Sequence, residues 1–134
     1  MKQLLAAALL SCAGTPASAT EWVLCAGGDG KVNFDVLLGS MAAITIDTLN
    51  IEASGKRWST KPAAGVTKIS TGQAFETADQ MLIDMTEAGT STIIAKLRLF
   101  KASDDSEGIE ATDATAGVLH LPGVGVWAVS CSGP

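Results

Sequence analysis

From Glu21 onward the chain runs in short stretches of alternating apolar and polar residues broken by Gly, Asp, Ser and Thr, a rhythm of strands rather than helices. In Glu21–Ala26, Val23 and Cys25 share one face and Trp22 and Leu24 the other. Gly28-Asp29-Gly30 follows, where glycine tolerates positive φ and Asp-Gly suits a tight hairpin. Lys31–Leu38 then sets Val32, Phe34, Val36 and Leu38 against Lys31, Asn33, Asp35 and Leu37, so the first two strands read as a hairpin. Ala43–Ala53 is extended and β-branched, but Ile44 and Ile46 have one parity and Leu49 and Ile51 the other. A side-chain period of two absorbs that slip only through a bulge or bend. Ser54-Gly55 is a turn, Lys56–Thr60 a short strand and Pro62–Gly65 a loop.

Gln73–Leu82 carries two patterns. Phe75, Ala78 and Leu82 fit a helical face, with Ser70 and Gln73 as a capping box, whereas Met81, Ile83 and Met85 fit a strand equally well. At most one short helix is expected there. Thr92–Phe100 is the clearest central strand, with Ile93, Ala95, Leu97 and Leu99 on an apolar face and Lys96 and Arg98 toward water. Ser103–Thr115 reads as an acidic loop. Val118–Leu121 and Val124–Cys131 form a last hairpin around Pro122-Gly123, with Trp127, Val129 and Cys131 on one face. The predicted fold is all-β: a single antiparallel barrel or sandwich of about eight strands. A first strand lying beside the last favours the barrel, because that contact removes the edges.

The first residues tell a different story. Met1-Lys2 is basic, Leu4–Leu10 is all Leu or Ala, Gly14 and Pro16 break a helix, and Ala17-Ser18-Ala19 offers the small residues a signal peptidase reads. Residues 1–19 are expected to be a signal peptide and 20–134 a single β domain, soluble in the periplasm or secreted. The apolar run is far short of the ~20 residues of a membrane span, so no transmembrane segment is expected in the mature chain. Leu9-Leu10-Ser11-Cys12 offers a competing route, a lipobox that would anchor the domain through Cys12.

Of 134 residues, removal of the first 19 leaves 115, one domain by size, and loss of Lys2 takes the formal charge from −5 to −6. No basic block offsets that charge, which argues against nucleic acid and anionic lipid as partners. Cys25 and Cys131 are left as an even pair in an oxidising compartment and read as a disulfide, the alternative being two free buried thiols.

Chemistry is sparse. His120, the only histidine, has no nucleophile elbow to serve, and no ligand set for zinc accompanies it. Gly27-Gly28-Asp29-Gly30-Lys31 resembles a phosphate loop but has Cys25 where the first glycine belongs and Val32 where a hydroxyl would hold magnesium; a hairpin turn explains it. Asp104, Asp105, Glu107, Glu110 and Asp113 bear oxygens that suit calcium, yet their order is not that of an EF-hand and a solvated loop accounts for them. Ser54-Gly55-Lys56-Arg57-Trp58 joins two cations and an indole beside a turn, residue types enriched at binding hot spots. Trp22 and Trp127 lie near the cysteines and are expected in the core. Trp58 has no such neighbour, and its exposure separates a binding role from core packing.

Cys25-Ala-Gly-Gly-Asp-Gly-Lys31-Val-Asn-Phe34, together with Val129-Ser130-Cys131, resembles the ends of small secreted bacterial inhibitors of C-type lysozyme, and Ser54–Trp58 is similar to the start of their Ser-Gly-x-x-Tyr loop, with Trp58 at the Tyr position. Ser59–Gly65 does not continue that loop. The resemblance implies an exported β-barrel with a terminal disulfide and inhibition through Ser54, Lys56, Arg57 and Trp58. The residues themselves point to a non-enzymatic exported binding or envelope protein without cofactor or metal, its partner a protein or an envelope component. The alternatives are an inhibitor of a lysozyme-like hydrolase and a hydrolase with a carboxylate pair.

Overall fold

The computed structural model describes residues 20–39 and 43–133, so the expected leader at 1–19 and Cys12 lie outside the described residues. Nine strands follow in order: β1 Thr20–Gly27, β2 Val32–Gly39, β3 Thr45–Ala53, β4 Lys56–Ser59, β5 Thr67–Glu76, β6 Gln80–Glu87, β7 Ile93–Asp104, β8 Thr112–Leu121 and β9 Gly125–Ser132. They pair in chain order and β9 returns to β1, closing a barrel. The closing ladder sets Cys25 opposite Cys131, and the two are joined by a disulfide with their Cα atoms 4.0 Å apart.

The strand count decides one feature of the topology. Around a closed ring of nine strands, direction cannot alternate at every step, so at least one neighbouring pair must be parallel. That pair is β4–β5, held only through Trp58↔Thr67 and Ser59↔Lys68. The expectation of about eight strands, all antiparallel, is corrected on both points. Beyond Ser59 the barrel wall thins: β3 meets β4 only over Asn50–Ala53, extended by the Thr60 N–H donating to the Leu49 carbonyl at 3.1 Å.

Local chemistry accounts for most elements. Gly30, at φ 69°, donates its N–H to the Gly27 carbonyl, and the Lys31 N–H is capped by Asp29, so the first hairpin turns where glycine permits it. Ser54 and Gly55 both have positive φ, the primed turn that matches strand twist. The parity slip between Ile46 and Leu49 is a bulge: Leu37 pairs with Thr48 and Leu38 with Ile46, leaving Asp47 as the extra residue. No helix occurs among the described residues; Gln73–Leu82 is split between β5 and β6. Phe75 stands 52% exposed, while Met81, Ile83 and Met85 are buried, so the strand pattern prevails over the helical one. The acidic loop is shorter than Ser103–Thr115, because β7 runs on to Asp104 and β8 begins at Thr112.

The interior is filled. Phe34, Leu49, Ile51, Met81, Ile83, Leu97, Leu99 and Leu119 project inward and are fully buried, each contributing about 1.5–3 kcal/mol by leaving water. Gly117 faces this core where β7 and β8 press together; a Cβ there would fall 1.8 Å from the Arg98 carbonyl oxygen. The hollows described next open between outward-facing side chains of the strands.

Candidate functional site

Three strands build a polar hollow on the outer wall. Because Val32, Phe34 and Val36 point inward, Asn33 and Asp35 must point outward; because Leu49, Ile51 and Ala53 point inward, so must Asn50 and Glu52. The two-residue turn at Ser54-Gly55 then fixes the register of β4, setting Arg57 opposite Glu52 and Ser59 opposite Asn50. Asp35 pairs with Asn50 and Asn33 with Glu52, so the outward side chains of β2, β3 and β4 form one continuous patch. Roofed at one side by Val66 from the crossover between β4 and β5, they line a hollow of about 440 Å³.

One wall of the hollow is braced. The Ser59 hydroxyl donates to Asn50 Oδ1 at 2.7 Å and accepts the Lys61 N–H at 3.0 Å, which orients the Asn50 amide and ties down the start of the crossover. On the opposite wall partial burial pushes the Asp35 carboxyl above its usual range, with no hydrogen bond or charge contributing to the shift. Glu52 is diagonal to Asp35 across the β2–β3 pair, a relation that spaces residues by about 7–8 Å. The hollow thus holds two carboxylates, two amides, a hydroxyl and a guanidinium around the edge of Trp58. A second hollow of about 430 Å³ lies beyond Asp35 and Asn33, toward Leu24, Ser130 and the disulfide.

Neither a family model, nor a curated protein, nor a solved structure matches this chain.

The residues expected from the sequence separate into two groups. Arg57 and Trp58 line the hollow; Ser54 and Lys56 lie exposed at the barrel end and do not. Trp58 is half-buried and packs against the core, sharing the inward side of its partner Ile51. Trp127 also packs on the core, but Trp22, expected there, is 43% exposed, because it has the outward parity of Leu24. His120 is half-buried on β8, and the Asp104 carboxyl is lowered by the hydroxyl and N–H of Ser106. Among the described residues no group of three or more His, Cys, Asp or Glu is placed to hold a metal. Sequence reasoning missed Asn33, Asp35, Asn50 and Glu52. The available signal was parity: each occupies an outward position on strands whose inward faces were already assigned.

Proposed function

We propose that this chain is a non-enzymatic exported binding protein that takes a polar envelope component, a glycan chain bearing neighbouring hydroxyls, in the hollow between β2, β3 and β4. The observation that carries this reading is the convergence of Asn33, Asp35, Asn50, Glu52 and Arg57 in one concavity above a filled barrel. Amide, carboxylate and guanidinium groups are planar and multidentate, and so pair with adjacent hydroxyls through donors and acceptors at once. Periplasmic or secreted residence is part of the proposal, supported by the Cys25–Cys131 bridge. The test is co-sedimentation of the purified protein with insoluble cell-wall glycan. Binding should be lost in Arg57→Ala and Asn33→Ala while unfolding midpoints stay put; equal retention by wild type and both variants would defeat the proposal.

Inhibition of a lysozyme-like hydrolase by a projecting 54–58 turn is the competing proposal. The hollow is favoured over the turn because Trp58 leans on the core and Arg57 lines the hollow, which leaves Ser54 and Lys56 at the turn. One observation favours a hydrolytic version of the glycan reading: Asp35, its carboxyl raised by burial, sits diagonal to Glu52 on the same outer face, which puts two carboxyl groups in one hollow. Release of reducing ends from the same glycan, abolished by Asp35→Asn, would establish it.

A further inference from the structure

Closure of the barrel brings a second set of outward side chains up to the polar hollow. Val23 and Cys25 point inward, so Leu24 and Ala26 leave β1 on the outer side. The ladders set Leu24 between Asp35 of β2 and Ser132 of β9, and Ala26 between Asn33 and Ser130. On its other side β2 sets Asp35 against Asn50 and Asn33 against Glu52. Asn33 and Asp35 therefore form a ridge shared by two hollows, about 440 Å³ on the β3–β4 side and about 430 Å³ on the β1–β9 side. Both fall within the ~300–1,000 Å³ of ordinary ligand sites. From β9 through β1, β2 and β3 to β4 the wall spans about 19 Å at about 4.8 Å per strand, longer than a disaccharide.

The two hollows differ in chemistry. The first holds Glu52 and Arg57 as well as Asp35. Among the described residues lining the second, Asp35 is the only charged side chain. Leu24, 48% exposed, Ala26 and the disulfide supply apolar surface there, while exposed Ser130 and Ser132 add hydroxyls beside the Asn33 amide. We infer that this second hollow is a further subsite of the glycan site proposed above and takes a neutral acetamido sugar; the inference rests on that reading of the first hollow. An acetamido group joins a methyl to a planar amide. Leu24, Ala26 and the disulfide offer the methyl apolar surface. The Asn33 amide and the serine hydroxyls both donate and accept, and so satisfy the N–H and C=O together. A sugar bearing hydroxyls alone leaves Leu24 to water, and an anionic sugar meets Asp35 with no lining cation to offset it. A chain that reaches both hollows gains because its second contact is intramolecular.

Calorimetric titration of the purified protein with soluble β-1,4-linked oligomers of N-acetylglucosamine tests this. The tetramer should bind about tenfold tighter than the dimer, and tighter by a similar factor than the tetramer of glucose. Leu24→Ser removes apolar surface from the second hollow and Ser130→Trp fills it. In each variant the tetramer-to-dimer ratio of affinities should fall to about one. Both positions are exposed on their strands, and unfolding midpoints verify the fold of each variant. A wild type that fails to sediment with cell-wall glycan overturns this inference together with the proposal it rests on. A wild type that sediments with that glycan through Arg57 overturns this inference alone if it binds no N-acetylglucosamine oligomer or holds dimer and tetramer equally. Equal affinity for the glucose tetramer, or a ratio unmoved by both substitutions, has the same consequence.

Discussion

Reducing the Cys25–Cys131 bridge changes no residue and removes little packing, so it isolates what the cross-link does to the unfolded chain. The bridge spans 106 residues, and a loop of that size is expected to lose about 4.7 kcal/mol of chain entropy in the unfolded state. A domain of this class is stable by about 5–15 kcal/mol, so reduction should remove a third or more of the total. The native cost of reduction is small, because the two strands remain joined by a four-residue ladder, Leu24–Gly27 against Val129–Ser132. With a urea dependence of about 1.5–2 kcal/mol/M, the unfolding midpoint should fall by about 2–3 M between the oxidised protein and the protein held reduced. In the reduced protein, amide exchange should rise first along that ladder, where release of the bridge leaves the barrel closed only by hydrogen bonds. A midpoint shift under about 0.5 M, with exchange unchanged at Cys25 and Cys131, would refute the loop-entropy reasoning and mean that the unfolded chain already holds its ends together.

Gly117→Ala drives a methyl into the Arg98 carbonyl and should cost more than about 3 kcal/mol in urea unfolding, since the obstacle is backbone and cannot change rotamer. Trp58→Ala should cost about 2–3 kcal/mol, less than a fully buried tryptophan, while exposed Arg57→Ala stays within about 0.5 kcal/mol; similar costs for both would mean Trp58 does not support the core. Asp35 has a folded pKa raised above its unfolded value, so the folded state holds that proton more tightly and stability is lost as pH rises through the interval above 3.8. Asp35→Asn should therefore raise the melting temperature at pH 7 and lose that advantage as pH falls below 3.8; a gain independent of pH would contradict the burial account.

Elements whose chemistry is local were legible in the sequence. The Gly28–Gly30 and Ser54-Gly55 turns carry their own backbone requirements, the Ile46/Leu49 parity slip announced a bulge, and an even cysteine pair at the two ends announced barrel closure. β5 was illegible because two irregularities coincide in it. It sits at the parallel junction, where β4 covers only its first residues, and a bulge between Thr71 and Gln73 reverses its parity. Phe75, Ala78 and Leu82 then mimic a helical stripe although a turn capped by Thr77 lies between them. The ends of β7 and β8 were hidden because the barrel wall extends past the core: Ser103 and Asp104 pair with Asp113 and Thr112 with no apolar interior left to mark them. The polar hollow needed three strands in register. That register was derivable for β3 and β4 from their two-residue turn, and for β2 only once the bulge at Asp47 was placed.

Considered as covalent geometry, the segment from Cys25 to Cys131 is a ring threaded through eight of its own hairpins and crossovers. A ring cut once is still a single piece. Proteolysis between Asp104 and Thr112, where every residue is exposed, would yield two fragments that migrate apart only after reduction. Until then each strand keeps both neighbours, and the nicked molecule retains its fold. Wherever a protease reaches that stretch, the bridge thus tolerates damage as well as limiting disorder, a durability that a linear chain with the same core would lack.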